Sequence, residues 1–281
     1  MPGDVLRKHA VSSHHADTPS ICIAIAAHKP YQMSKDSVYM PLHVGKALHP
    51  EIDLGFQTDD TGDNISALNA SYSELTGLYW LWKNSDADFK GLVHYRRYLA
   101  SPDFRKRHAK KRLDRIASSN EIRELLRKSD IILPRKRNYY IETMQSHYAH
   151  TLPEIHLVET RRILEDRFSE YLPAFDHVMQ SRSGHMFNMF IMSKEKLNEY
   201  CTWLFDILKD LTERIDPSQY DAFNARFPGR VSELLLDVWL ETNSYSYEEL
   251  PAVSTELVDW WKKGTGFLMA KFVGKKYTKS F

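Results

Sequence analysis

Cysteine is nearly absent from this 281-residue chain: only Cys22 and Cys201 occur, each inside an apolar stretch. That excludes a disulfide framework and a cysteine-rich zinc site, and it fits a reducing compartment. No apolar run approaches the roughly 18 to 20 residues of a membrane span, and the first apolar segment follows a mostly polar leader, which argues against a signal peptide. The expectation is a cytoplasmic protein, peripheral at most to the inner face of a membrane. Also missing are the Gly-x-x-x-x-Gly-Lys phosphate loop, the Gly-x-Gly-x-x-Gly fingerprint, the Gly-x-Ser-x-Gly elbow and the His-Glu-x-x-His helix. ATPase, dehydrogenase, hydrolase and zincin readings therefore lose their main support.

What is present describes a folded globular chain, with 42% hydrophobic and 27% charged residues. The net charge of +1 is unevenly spread: Arg105 to Arg115 holds seven Lys/Arg against one Asp, and Trp260 to Phe281 holds six Lys and no acid. Such patches attract phosphates, whether of nucleic acids, nucleotides or lipid headgroups. The second patch interleaves Trp260, Trp261, Phe267, Phe272 and Tyr277 with its lysines. That mixture suits an anionic membrane surface, with nucleic acid second and a solvated tail third.

Hydrophobic patterning predicts an alternation of strands and helices. Ile21 to Ala27 is a short unbroken apolar run, the pattern of a strand buried on both faces. Ser71 and Glu74 form a capping-box signature before Tyr72, Leu75, Leu78, Tyr79 and Trp82 at helical spacing. Phe89 to Tyr95, Ile131 to Leu133 and Met186 to Met192 read as further strands, and Glu121 to Lys128 as a helix. The middle, 142–180, reads as helical, Leu197 to Leu211 traces a long amphipathic helix, and Val231 to Glu241 gives one more. The fold class is α/β: a doubly wound, mainly parallel sheet flanked by helices, with a helical C-terminal half and ligands at the strand ends. The expected organisation is a leader over 1–19, a domain over 20–250 and a basic aromatic tail over 251–281.

Three groupings carry chemistry. His94-Tyr95-Arg96-Arg97-Tyr98 ends a predicted strand, where two guanidiniums can grip a diphosphate and a tyrosine can stack on a base or sugar; surface arginines are the plain alternative. Asp59-Asp60-Thr61-Gly62-Asp63-Asn64 can hold a divalent cation or sugar hydroxyls, or can simply be a turn capping the next helix. Glu233 and Asp237, four apart on the Val231 helix, can supply a general base or a helix-capping charge. Asp86-Ala87-Asp88 has the spelling of a metal motif but precedes its strand, and His147 with His150 is more simply structural than metal-ligating.

Asp60 to Ser66, Tyr72 to Asn84, Gly91 to Tyr98, Asn188 to Met192 followed by Tyr200-x-x-Trp203-Leu204-Phe205, and Arg230 to Leu235 together resemble the blocks of a bacterial family of capsular and exopolysaccharide glycosyltransferases. That family was long catalogued as a domain of unknown function and includes β-1,3-galactofuranosyltransferases. The resemblance implies a GT-A-like sheet and an inverting transfer from a nucleotide-sugar, with UDP-galactofuranose as the guess, to a lipid-linked oligosaccharide acceptor. It places Ala27 and His28 near the base and ribose. His94, Tyr95, Arg96 and Arg97 then stand where an Asp-x-Asp normally holds a metal. Two alternatives follow: the arginines neutralise the diphosphate themselves, or Asp60 and Asp63 bring a manganese or magnesium ion. Glu233 is the first choice of base and Asp63 the second, Asn188 helps to hold the acceptor, and Tyr95 or Trp80 stacks on sugar or base. A non-catalytic carbohydrate-binding or scaffold subunit is the main rival, and nucleic-acid binding the third reading.

Overall fold

The computed structural model describes residues 18–256. The residues before and after, including nearly all of the expected leader and most of the basic aromatic tail, lie outside the described part. Its strands are β1 (Ile21–Ala27), β2 (Tyr39–His43), β3 (Gln57–Thr58), β4 (Phe89–His94), β5 (Arg97–Leu99), β6 (Ile131–Pro134), β7 (Arg137–Asn138), β8 (Ser183–Gly184), β9 (Phe190–Ser193), β10 (Glu248–Leu250) and β11 (Ala252–Ser254). Its α-helices are α1 (Asn69–Tyr72), α2 (Leu75–Asn84), α3 (Phe104–Arg107), α4 (Ser119–Leu126), α5 (Met144–Thr151), α6 (Ile155–Arg167), α7 (Leu172–Gln180), α8 (Lys194–Arg214) and α9 (Phe227–Thr242).

The main sheet runs β10-β6-β9-β4-β1-β2-β3, with β5 joining β4 to β11. β1 pairs in parallel with β2 and β4, as do β2 with β3 and β6 with β10, whereas β9 is antiparallel to both neighbours. The apolar run of β1 is unbroken because both faces are covered: Ala24 and Ala26 face one core, and Ile23, Ile25 and Ala27 the other. β4 and β9 approach so closely that a Cβ at Gly91 would sit 2.7 Å from the Phe190 carbonyl oxygen.

The larger core contains α9, which is buried around nearly its whole circumference. A helix apolar on all sides belongs in an interior, and any polar side chain it carries must find a partner there. Glu233 and Asp237 are two such side chains.

Two expectations are corrected. The Ser71–Glu74 capping box does not form, because the chain turns at Ser73 (φ 53°) and the helix restarts at Leu75. Ser71 Oγ instead donates to the Leu68 carbonyl. The apolar stretch Met186–Met192 is a strand only from Phe190, since Phe187 and Asn188 adopt left-handed φ values of 81° and 50°. The sheet also includes β11, which pairs antiparallel with β5.

Candidate functional site

β1 and β4 are parallel neighbours, so the segments following them emerge on the same edge of the sheet. A cavity of about 810 Å³ opens there, lined by His28 after β1 and by His94 to Arg97 at the end of β4. Its other walls come from Ser73 and Glu74 between α1 and α2, from Phe187 before β9, and from Arg226, Arg230 and Glu233 at the start of α9. Four arginines thus face a cavity whose acids are Glu74 and Glu233.

The arginines are held by rings and by neighbouring charges. The Arg97 guanidinium lies 4.5 Å from the Phe187 ring centroid and that of Arg96 lies 5.1 Å from the Tyr95 ring. Burial, followed by the Arg96 charge, pushes the Arg97 pKa down, against the opposing pull of Glu233. Arginine keeps its proton regardless, so the direction describes an under-solvated cation that gains from an arriving anion. Burial and the charges of Lys29, Arg96 and Arg226 push the His28 imidazole down as well.

Glu233 is 5% exposed, with Arg230 Nη1 at 3.3 Å from its Oε1. Burial raises its pKa, Arg230 opposes that, and the nearby Glu74 carboxylate adds to it. Glu74 Oε1 accepts a 2.8 Å hydrogen bond from Asn188 Nδ2, which also donates to the Gly229 carbonyl, while Asn188 Oδ1 accepts from Ser232 Oγ. His94 Nε2 donates to the Phe187 carbonyl at 2.5 Å, fixing its tautomer. Ser73, Phe187 and Asn188, all at this cavity or directly behind it, have φ between 50° and 81°. Strained backbone of this kind persists where the surroundings over-determine it.

Of the residues singled out from sequence, the structure brings His28, His94, Tyr95, Arg96, Arg97 and Glu233 to one cavity. Ala27 is buried beneath it, with its carbonyl accepting from Val44 N–H. Asn188 is buried and engaged with Glu74 and α9, so it acts on the cavity through Glu74. Asp60, Asp63, Asn64 and Trp80 do not line the cavity. Their turn is sewn to α2: Trp80 Nε1 donates to Thr61 Oγ1, Tyr79 OH to Asp63 Oδ1, and Asn84 Nδ2 to the Asp63 carbonyl. Glu233 also lies in the second turn of α9 rather than at its N-terminus, because that helix starts at Phe227.

Asp86 and Asp88 sit before β4, at the end of that strand away from the cavity, where Asp88 accepts from Ser20 N–H and Oγ. His147 and His150 both bond Glu142 through Nδ1. Among the described residues, no three His, Cys, Asp or Glu side chains converge as a metal cluster. The donor set at the cavity is therefore a poor fit for a cation held by side chains alone and a good fit for an anion.

Sequence reasoning missed Glu74, Arg226 and Arg230 as site residues. The spacing of Arg226, Arg230 and Glu233 places them along one face of a helix start, a signal that was available. Glu74 had no such signal, because its spacing from Ser71 imitates a cap.

Fold and site together define an α/β domain with an arginine-lined cavity at the carboxyl ends of parallel strands. Residues 22–244 match the family described as a domain of unknown function, DUF4422, and the chain belongs to that family. Among solved structures it is similar to the apo form of the WbbM bifunctional glycosyltransferase, with a TM-score of 0.76 and 30% identity. The similarity covers 83% of this chain and 45% of that one, so the chain spans under half the length of that enzyme. No curated protein matches the chain. The fold class expected from sequence is thus shown, and the family is related to a glycosyltransferase.

Proposed function

We propose that this chain is a glycosyltransferase that moves a sugar from a nucleotide-sugar donor to a saccharide acceptor. One observation carries the reading: Arg96, Arg97 and Glu233 line the same cavity although 136 positions separate Arg97 from Glu233. Cations suited to a diphosphate and a carboxylate suited to an acceptor hydroxyl are the two halves of a displacement at an anomeric carbon.

In this mechanism the ionised Glu233 takes the proton from the acceptor hydroxyl as its oxygen attacks the anomeric carbon from the face opposite the leaving group. The bond from that carbon to the diphosphate oxygen breaks, its electron pair leaves with the nucleotide, and configuration inverts. Arg96, Arg97, Arg226 and Arg230 stabilise the departing charge, so guanidiniums stand in the role that a divalent cation often fills. Tyr95, already flanked by His28 and Tyr31 in edge-on contacts, gives the sugar or base a ring to rest against. The favoured donor is UDP-galactofuranose, and the favoured acceptor a lipid-linked oligosaccharide at the cytoplasmic face, in capsule, exopolysaccharide or O-antigen synthesis.

The test is nucleotide release and product formation by the purified chain, with and without a chelator. Acceptor-dependent release that survives chelation is the expected result. A protein that neither turns over any sugar nucleotide nor shows a melting shift with one is not a transferase, and the carbohydrate-binding scaffold reading replaces it.

A further inference from the structure

The surface segment around α3 combines an exposed ring with dense positive charge. Phe104 is 66% exposed, and the eleven positions that follow it carry seven cations and one acid. Among the described residues Glu121 is the carboxylate that pairs with this cluster, through Lys106 at 2.9 Å. Arg107, Arg112 and Arg115 are held by carbonyls of Pro102, Ser254 and Ala109 at 2.8 to 3.0 Å. Carbonyl partners fix the shape of the segment without cancelling its charge, while the exposed Arg105, Lys110 and Lys111 project into solvent.

We propose that this segment is a docking surface for an anionic lipid bilayer, with Phe104 entering the headgroup layer and the surrounding cations meeting lipid phosphates. Nucleic acid is the other polyanion, but a nucleic-acid groove stacks successive bases on several aromatic side chains, and Phe104 is the one Phe, Tyr or Trp between 104 and 115. Its ring packs on His108 at a centroid distance of 4.2 Å and stays 66% exposed, which leaves apolar surface for a headgroup layer beside the cations. The patch also adjoins the cavity. Arg112 bonds the Ser254 carbonyl, Thr255 N–H donates to the Arg96 carbonyl, and the Arg96 guanidinium lies 3.5 Å from Glu256. A strip of three residues therefore joins the basic patch to a cavity-lining arginine, so a membrane bound by one brings its surface beside the other.

This inference does not depend on the transferase reading, because vesicle binding is read with no donor present. The full chain is sedimented with vesicles of phosphatidylcholine alone or with about one third phosphatidylglycerol. Residues 257–281 are common to every variant, so binding that they supply cancels in the comparison. Wild type is expected to bind only the anionic vesicles and to be released by high salt. The combined R105E/K110E/K111E change is expected to lower the partition coefficient at least about tenfold, and Phe104→Ser by roughly threefold or more. An unchanged melting temperature establishes that these variants are folded, and Lys128→Glu serves as a distant charge control expected to bind like wild type. Wild-type binding by the triple variant overturns the proposal, and so does a protein that ignores anionic vesicles but binds duplex DNA or RNA through the same three cations.

Discussion

Asp59 and Glu233 are both buried carboxylates, and they are satisfied in different ways, one wholly by its own chain and the other at a cavity wall. Asp59, wholly buried, accepts four hydrogen bonds: Gly45 N–H and Thr76 Oγ1 on one oxygen, Lys46 N–H and Ser66 Oγ on the other, at 2.5 to 3.2 Å. It bolts the loop after β2 to the start of α2 and leaves no oxygen free for a ligand. Glu233 instead lines a cavity beside Arg230 and a second acid, Glu74. A carboxylate saturated by its own chain holds a fold together; one at a cavity wall is the kind to which the proposed mechanism assigns the base.

The sharpest way to break this contrast is to remove each charge in turn. Asp59→Asn sets an amide N–H against groups that themselves donate, and should cost about 3 kcal/mol or more of folding free energy, measured by urea unfolding. Stability close to wild type would remove Asp59 from its role as a bolt. Glu233→Gln should do the reverse. Transfer falls at least about a hundredfold while stability stays within ~1 kcal/mol and donor binding persists, as read by kinetics and melting shifts. Near-normal transfer by that variant would take Glu233 out of the mechanism.

The pH dependence gives a finer version of the same comparison. Because burial raises the Glu233 pKa, the acid limb of kcat/KM in the proposed mechanism should lie higher than an ordinary carboxylate base would give. Stability moves the opposite way. A raised carboxylate pKa contributes stability at pH below its unfolded value, and that contribution is lost as pH rises through the folded value. Unfolding measured across this window should show the loss in wild type and not in Glu233→Gln.

Arg97→Lys keeps the charge and loses the planar fork. The expected result is a roughly tenfold weaker donor affinity, which isothermal titration would resolve. The smallest effect belongs to a part of the molecule remote from this chemistry. Ser118 and Glu121 form a true capping box at α4, and Ser118→Ala should cost about 1 kcal/mol with donor affinity unchanged.

Much of the scaffold was legible because its signals are local. β1 coincides with its apolar run, α8 with its amphipathic spacing, and β4 with the stretch ahead of the arginines. The failures share a cause. Met186 to Met192 has the composition of a strand throughout, yet Phe187 and Asn188 turn left-handed because their partners, Glu233, His94 and Glu74, come from distant segments. The acidic turn at 59–64 sets carboxylates beside a glycine, which suit either a cation or a turn, and its bonds to α2 are contacts that composition does not announce.

His185 shows how the same long-range bonding supports the cavity. It is fully buried, its Nδ1 lies 2.5 Å from Asp237 on α9, and its Nε2 lies 3.0 Å from Glu249 on β10. That bridge anchors the chain two residues before Phe187, whose carbonyl receives the His94 hydrogen bond.

Residue order alone determined the alternating elements, the two-sided burial of the first strand and the pairing of two arginines at a strand end, since each follows from near-neighbour periodicity and side-chain chemistry. Only the folded chain decided that Glu233 faces those arginines, that Glu74 joins them and that Asp59 does not. Which charges share one cavity is settled by packing between segments far apart in the sequence, where burial fixes the energy of every unpaired group.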